Sequence, residues 1–316
     1  MNLTVNSSPH IRGPFRTSRL MLDVVIALLP ALLVGIFVLG IRALMVSFVS
    51  VAAAMAVEVL YSLAFRKRNT VIDCSAVVTG LLFAMTLPVS TPYWVVILGS
   101  AFAILAAKLF WGGLGQNIFN PALLARAFVT LIVPAAVTRY PALTVDAVSS
   151  ATPLHHMVMP ALPEESILDM FLGNCPGSIG ELSALALLAG GAYLVIRKVI
   201  SVRIPLAYLG TVAVITFVFH KTDSALSWMA YSLFSGGLML GAIFMATDYV
   251  TSPVTKLGQL IFGVGCGIFT VIFRYFGLFP EGVTYAILLM NLLVWTIDRC
   301  TPPRIYGHGK AGGSRA

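Results

Sequence analysis

Charge is scarce in this sequence. Of 316 residues, 12 are acidic and 20 basic, so 10% of the chain is charged while 59% is hydrophobic. A soluble domain carries about a quarter of its residues as charges, so a water-soluble globular enzyme is excluded. Cysteine is scarce too. Cys74, Cys175, Cys266 and Cys300 stand far apart with no C-x-x-C among them, which argues against an iron–sulfur cluster or a zinc centre; no metal site is expected. There is no G-x-G-x-x-G to cradle a dinucleotide. Nor is a cleavable leader expected, because the first twenty residues are polar, with Arg12, Arg16 and Arg19 ahead of the first apolar run. The net charge of +8 could suggest nucleic acid, but the basic residues lie in short groups between apolar runs. That pattern belongs to the cytoplasmic face of a membrane, and no nucleic-acid partner is expected.

What the chain has instead is apolar runs of about 17 to 22 residues, each long enough for a transmembrane helix. Ten spans are predicted, at 20–40, 43–65, 75–87, 93–111, 121–137, 179–196, 204–219, 226–245, 260–278 and 283–297. The fold class expected is thus an all-α polytopic membrane protein. The third and tenth spans are short enough to be tilted or broken. With the N-terminus inside, fifteen of the twenty Lys and Arg residues fall on the cytoplasmic side: Arg12, Arg16, Arg19, Arg66, Lys67, Arg68, Lys108, Arg197, Lys198, Arg203, Lys256, Arg299, Arg304, Lys310 and Arg315. Arg42, Arg139, Lys221 and Arg274 fall outside, and Arg126 lies within a span. The bias predicts that both termini are cytoplasmic.

The chain also repeats itself. "GLLFAMTLPVSTP" (80–92) matches "GAIFMATDYVTSP" (241–253) at Gly, Phe, Thr, Val and Pro. The two segments sit on the third and eighth spans, an odd offset of five helices, so the copies run through the membrane in opposite directions. The expected architecture is a 5+5 inverted repeat, in which interrupted helices mark the functional midplane. The interruptions are expected at Thr86-Leu87-Pro88 and Thr247-Asp248, beside "GGLGQNIFNP" (112–121) and "FGLFPEG" (276–282). Five segments follow: a cytoplasmic N-terminal stretch (1–19), the first membrane repeat (20–137), an extracytoplasmic loop (138–178), the second repeat (179–298) and a cytoplasmic tail (299–316).

That loop is the one connection long enough to hold a function of its own. It contains "DAVSSATPLHH" (146–156). Read locally, Thr152 caps a short helix and Pro153 takes its first position. Read chemically, Asp146, Ser149, Ala151 and Thr152 form D-x-x-S-x-A-T, which resembles the acceptor motif at which a flavin transferase esterifies FMN to a threonine hydroxyl. Small residues at 149–151 give the transferase access, and a helix start offers N–H groups to the resulting phosphate. The glycine usual two residues before the threonine is replaced by Ser150.

Nearly the whole chain resembles the family that unites the D subunits of Rnf complexes with the B subunits of sodium-pumping NADH:quinone oxidoreductases. The matching segments are "SPHIR" (8–12), "TGLLFAMTLP" (79–88), "GGLGQNIFNPAL" (112–123), "SSATPL" (149–154), "FMATDYVTSP" (244–253) and "PEGVTYAILLMNLLVWTIDRCTPPRIYG" (280–307). The B subunits carry a longer N-terminal extension, so the Rnf branch is expected. The resemblance implies FMN esterified to Thr152, a second, non-covalently held flavin (riboflavin), and a subunit role in ferredoxin:NAD+ oxidoreduction coupled to Na+ or H+ translocation in a bacterial or archaeal cytoplasmic membrane. Other Rnf subunits and a flavin transferase are the implied partners.

Acids in apolar spans carry a cost of at least ~2.5 kcal/mol unless compensated. Asp23 and Asp248 lie where snorkelling, or pairing with Arg19 or Lys256, would satisfy them, yet Asp248 also falls on an expected interruption. Glu58 lies deeper, and serves either an ion or proton pathway or a hydrogen bond to a neighbouring helix. His155 and His156 face either the flavin phosphate or water. Asn117 and Asn120 precede a span, as caps or as donors to an isoalloxazine ring. Against the redox subunit stand a cofactor-free inverted-repeat transporter or channel and a structural scaffold; the Thr152 motif is what separates the first from these.

Overall fold

Helices form every extended element in the computed structural model, which describes residues 17–66, 73–113, 115–138, 140, 166–222, 224–277 and 282–302. The first two apolar runs become α1 (Thr17–Leu39) and α2 (Ile41–Ala64). They are joined at Gly40, whose φ of +80° is a left-handed turn that a residue without Cβ makes at little cost. Next come α3 (Ser75–Met85), α4 (Tyr93–Phe102, prolonged as π-helix over Ala103–Leu109), α5 (Pro121–Ile132) and a single turn, α6 (Pro134–Val137). The later part of the chain supplies α7 (Ile167–Leu172), α8 (Ala184–Ile196), α9 (Arg203–Val218), α10 (Ala225–Phe234), α11 (Leu238–Leu240, prolonged as π-helix over Gly241–Met245), α12 (Lys256–Phe276) and α13 (Gly282–Cys300).

By length and composition α1, α2, α12 and α13 can each cross a membrane, and α10 with α11, bent by 64° at their junction, can make a fifth crossing. The surface fits that use. Phe37, Leu33, Phe48, Leu63, Phe110 and Trp295 are exposed, whereas Ser47, Ser50, Ser100 and Thr270 are buried between helices. Lipid gives apolar side chains no reason to turn inward, so close backbone packing and interhelical hydrogen bonds hold the bundle instead. Ser50 shows the latter: its Oγ donates to Gly80 O at 2.6 Å and lies 2.9 Å from Ser100 Oγ, tying α2 to α3 and α4. Close packing appears where Gly263 and Gly267, four residues apart on α12, face α9. A Cβ on Gly263 would come within 2.9 Å of Ile204 O, and one on Gly267 within 3.1 Å of Tyr208 O.

Within the first half α2 packs on α3 and α4, and α4 on α5. Within the second, α9 packs on α10 and α12, and α12 on α13. The halves meet where α1 lies along α8 and α5 touches α13.

The expected spans and the helices differ in four instructive places. The tenth span is expected to be short, but α13 runs 19 residues. The fifth divides at Pro134, which has no N–H to continue the ladder of α5. The sixth begins at Ala184 rather than 179, because the backbone before it is engaged elsewhere: Ile179 N–H donates to Leu87 O (3.1 Å) and Gly180 N–H to Met85 O (2.8 Å). The eighth is broken at 235–237, which hydropathy alone does not indicate. There Arg274, buried on α12, donates to Ser232 O (2.5 Å) and Ser235 O (2.9 Å), so carbonyls released by the bend are satisfied from a neighbouring helix. The two expected interruptions do coincide with helix ends. α3 stops at Met85 and the π-helical segment at Met245, each followed by a threonine whose hydroxyl turns back onto the helix: Thr86 Oγ1 to Phe83 O (2.7 Å) and Thr247 Oγ1 to Ile243 O (2.6 Å).

Candidate functional site

A cavity is bordered by the second interruption, Thr247-Asp248, and not by the first, Thr86-Leu87-Pro88. Its walls come from α1 (Met21, Val24), α3 (Ser75, Val78, Thr79, Leu82), the π-helical end of α4 (Lys108), the start of α5 with its preceding loop (Asn117, Asn120), and the segment Phe244 to Val250. Counted together with its open mouth, the space is ≈ 730 Å³. Most of the wall is apolar. Two charged side chains, Lys108 and Asp248, stand among the lining residues.

The loop 112–120 reaches the cavity through glycines. Gly112, Gly113 and Gly115 have φ of +115°, +105° and +96°, a run of left-handed backbone that side chains with a Cβ rarely adopt. It turns the chain so that Asn117 and Asn120 arrive buried at the start of α5. Asn120 is a cap as expected: its Oδ1 accepts from Ala122 N–H (3.1 Å) and Leu123 N–H (3.4 Å), with Pro121 in the first helical position. Its amide nitrogen also donates to Met245 O (3.2 Å), clamping α5 to the second interruption. Asn291 of α13 joins the same clamp. With its amide turned to suit its neighbours, it accepts from Asn120 N–H (3.2 Å) and donates to Thr251 O (3.0 Å). Asn117 Oδ1, in contrast, is buried without a hydrogen-bond partner among the described residues, a condition that costs about 1–3 kcal/mol unless a ligand or water supplies a donor.

Glu58 lies on α2, 1% exposed, and is paired. Lys108 Nζ donates to Glu58 Oε1 at 2.7 Å and to Ser75 Oγ at 2.7 Å. Of the two readings open for Glu58, the hydrogen bond to a neighbouring helix is therefore present, and it is an ion pair. Lys108 is expected at the cytoplasmic surface but is 1% exposed. The π-helical widening over Ala103–Leu109, a feature common at functional sites, carries it inward. A lysine within an apolar run ("AILAAKLFW") is the signal the sequence offers for this. Arg274, counted outside, is also buried; without these two the charge bias becomes fourteen to three, of the same sign.

Asp23 is held differently from expectation. Neither Arg19 nor Lys256 is its partner: Arg197 Nη2 approaches Oδ2 at 3.3 Å and Tyr193 OH donates to Oδ1 at 3.0 Å. The reason is the packing of α1 along α8, at whose C-terminal end both partners lie. Asp248 is half-buried at the cavity wall and is held by its own turn, accepting from Thr251 Oγ1 (3.1 Å). Asp146, Ser149, Ala151, Thr152, His155 and His156 lie outside the described residues.

Comparison with known proteins bears on the whole chain. It is 47% identical to the D subunit of the Na+-translocating ferredoxin:NAD+ oxidoreductase complex of Acetobacterium woodii, over 97% of this chain and 96% of that protein. It is 42% identical to the D subunit of the proton-translocating ferredoxin:NAD+ oxidoreductase complex of Clostridium ljungdahlii, over 96% of each. The D subunit of the ion-translocating oxidoreductase complex of Stutzerimonas stutzeri is 37% identical over 93% of each. The sequence profile of the NQR2, RnfD, RnfE family matches residues 4–307, and the chain belongs to that family.

Proposed function

We propose that this chain is the membrane flavoprotein subunit of an Rnf-type ferredoxin:NAD+ oxidoreductase complex. In this reading it relays electrons through FMN esterified to Thr152 and through a second, non-covalently bound flavin, riboflavin, and the relay is coupled to Na+ or H+ translocation. The observation that carries the reading is the likeness to the D subunit of a ferredoxin:NAD+ oxidoreductase complex across 97% of the chain. A lone subunit without iron–sulfur or dinucleotide motifs is not a complete enzyme, so the other Rnf subunits are its redox partners and a flavin transferase its maturation partner.

The cavity suits the second flavin. An isoalloxazine ring has an apolar benzenoid end and a polar pyrimidine edge. Met21, Val24, Leu82 and Phe244 match the first, and Asn117, Thr79 and Thr247 match the second. The unpartnered Asn117 Oδ1 is the acceptor that a ring N–H would satisfy. A phosphate is less well served: the N–H groups opening α5 are engaged by Asn120, and Lys108 is engaged by Glu58. A flavin without phosphate is therefore the better fit. A bound flavin supplies reversible electron transfer; the protein's part is to bind it, exclude water and set the charge around it.

The 5+5 inverted repeat with cytoplasmic termini belongs to the same proposal. It is supported by the corresponding packing of α2, α3, α4 and α5 in one half and α9, α10, α12 and α13 in the other. Glu58 and Asp248, with Asp23 third, are the candidate groups for the ion path.

Purified protein, made together with a flavin transferase, is expected to be yellow and to give a band fluorescent under ultraviolet light after denaturing electrophoresis. Thr152→Ala abolishes the band's fluorescence and leaves flavin that is released by acid precipitation; Asn117→Leu lowers that released fraction. A wild-type preparation without any flavin would transfer the assignment to a cofactor-free transporter or channel.

A further inference from the structure

The buried ion pair has an asymmetric position. Lys108 and Ser75 line the cavity, while Glu58, bonded to the same ammonium, does not. Lys108 thus touches both the cavity and a carboxylate sealed behind its wall. We propose that Lys108 couples negative charge in the cavity to binding of one small monovalent cation at Glu58. The inference rests on the reading that the cavity holds the non-covalent flavin.

Charge in this dry region has to balance. Glu58 and Lys108, 1% exposed each, form a neutral pair in a region where an uncompensated charge is strongly penalised. One electron delivered to the cavity by a partner redox subunit adds one negative charge. Lys108 then has two anions to serve, Glu58 on one side and the cavity on the other, and its hold on Glu58 weakens. One Na+ or one proton taken up by the Glu58 carboxylate restores neutrality: one electron in, one cation in, with the buried charge unchanged. Removing the electron reverses the balance, and the ammonium returns fully to Glu58 and displaces the cation. Such linkage is reciprocal, so a cation at Glu58 must favour negative charge in the cavity by the same factor. Ser75 Oγ, 2.7 Å from the ammonium, gives Lys108 a bond that does not depend on Glu58. The other titratable group on the cavity wall, Asp248, is held by Thr251 of its own turn.

The test is a redox titration of the purified full-length chain in a Thr152→Ala background, where the flavin followed by its absorbance is the non-covalent one. Midpoint potential is measured over a hundredfold range of NaCl at constant ionic strength and pH, and separately over a pH series at constant NaCl. The unmodified Lys108 protein is expected to shift by up to about 59 mV per tenfold change in the coupling cation for one electron and one cation. The NaCl series identifies Na+; in the pH series the ring nitrogens of the flavin take up protons of their own on reduction, so the slope that counts for Glu58 is the part in excess of the ring's own. Lys108→Met should lower the potential and remove that slope, and Lys108→Arg should restore part of it. Glu58→Gln keeps the ammonium and should raise the potential while removing the slope; it carries the test alone should Lys108→Met fail to accumulate. A slope retained undiminished in both Lys108→Met and Glu58→Gln, or none beyond the ring's own in either series with Lys108 present, overturns the proposal. Acid-released flavin separates the two levels. Content and spectrum unchanged in both Asn117→Leu and Lys108→Met would put the flavin elsewhere and defeat the cavity reading. Content lowered by Asn117→Leu with a slope that survives Lys108→Met defeats only the role of Lys108.

Discussion

Two acids in apolar helices, Asp23 and Glu58, look alike along the chain and end in different surroundings. Asp23 meets Arg197, whose side chain is 50% exposed, at 3.3 Å and near the ends of α1 and α8. Glu58 meets Lys108 at 2.7 Å with both side chains at 2% exposure or less. The first is an interfacial pair that water can share. The second is sealed, and each partner depends on the other to avoid a bare charge in a dry bundle. Depth and the nature of the partner therefore decide what an intramembrane acid does, and an ion pair facing a cavity is the better candidate for coupling charge to function.

Removing one partner of the sealed pair is the strongest way to test that contrast. Glu58→Ala should lower stability by about 3–5 kcal/mol, since it strands the Lys108 ammonium, and thermal unfolding of the purified chain in detergent would read it. Replacing both partners, as Glu58→Gln with Lys108→Met, should cost clearly less than Glu58→Ala alone, because no charge is then left unpaired; an equal or larger loss would mean that the pair is not the dominant interaction there. Asn120→Ala gives an uncharged yardstick between the two sites. It should cost about 0.5–2 kcal/mol through loss of the α5 cap, and it also frees Met245 O. Asp23→Asn should cost at most about 1 kcal/mol, as partly exposed pairs do; a loss as large as that of Glu58→Ala would erase the distinction. The smallest effect is on salt. Raising ionic strength from about 0.1 to about 1 M shortens the screening length from about 10 to about 3 Å, so the Asp23–Arg197 coupling measured by a double-mutant cycle should fade while that of Glu58–Lys108 persists.

The legible and illegible parts of this protein divide along sequence distance. Helix-forming runs are readable because lipid leaves their apolar length in plain view, and the ends at Met85 and Met245 are readable because the segments 80–92 and 241–253 share threonine and four other residues in register. The break at 235–237 is not, since it depends on Arg274 arriving from another helix. For Asp23, local reasoning offers Arg19 or Lys256, but the partner lies 174 residues away. Glu58 is legible as a deep acid, whereas Lys108 reads as a surface charge. Its inward turn comes from the π-helical segment that hydropathy does not encode. Asn117 and Asn120 invite the same capping reading; packing assigns the cap to Asn120 and leaves Asn117 turned to the cavity.

Composition and hydropathy by themselves determined that this chain is a helical membrane protein, since too few charges were present to clothe a soluble surface. Local motifs marked the helix interruptions and the Asn120 cap. Only the tertiary structure decided which acid is paired with which base, and which side chains share a cavity. Those choices depend on helices brought together across 50 residues for Glu58 and Lys108 and 174 for Asp23 and Arg197. Buried charge is satisfied by whatever partner packing delivers, not by the nearest one along the chain.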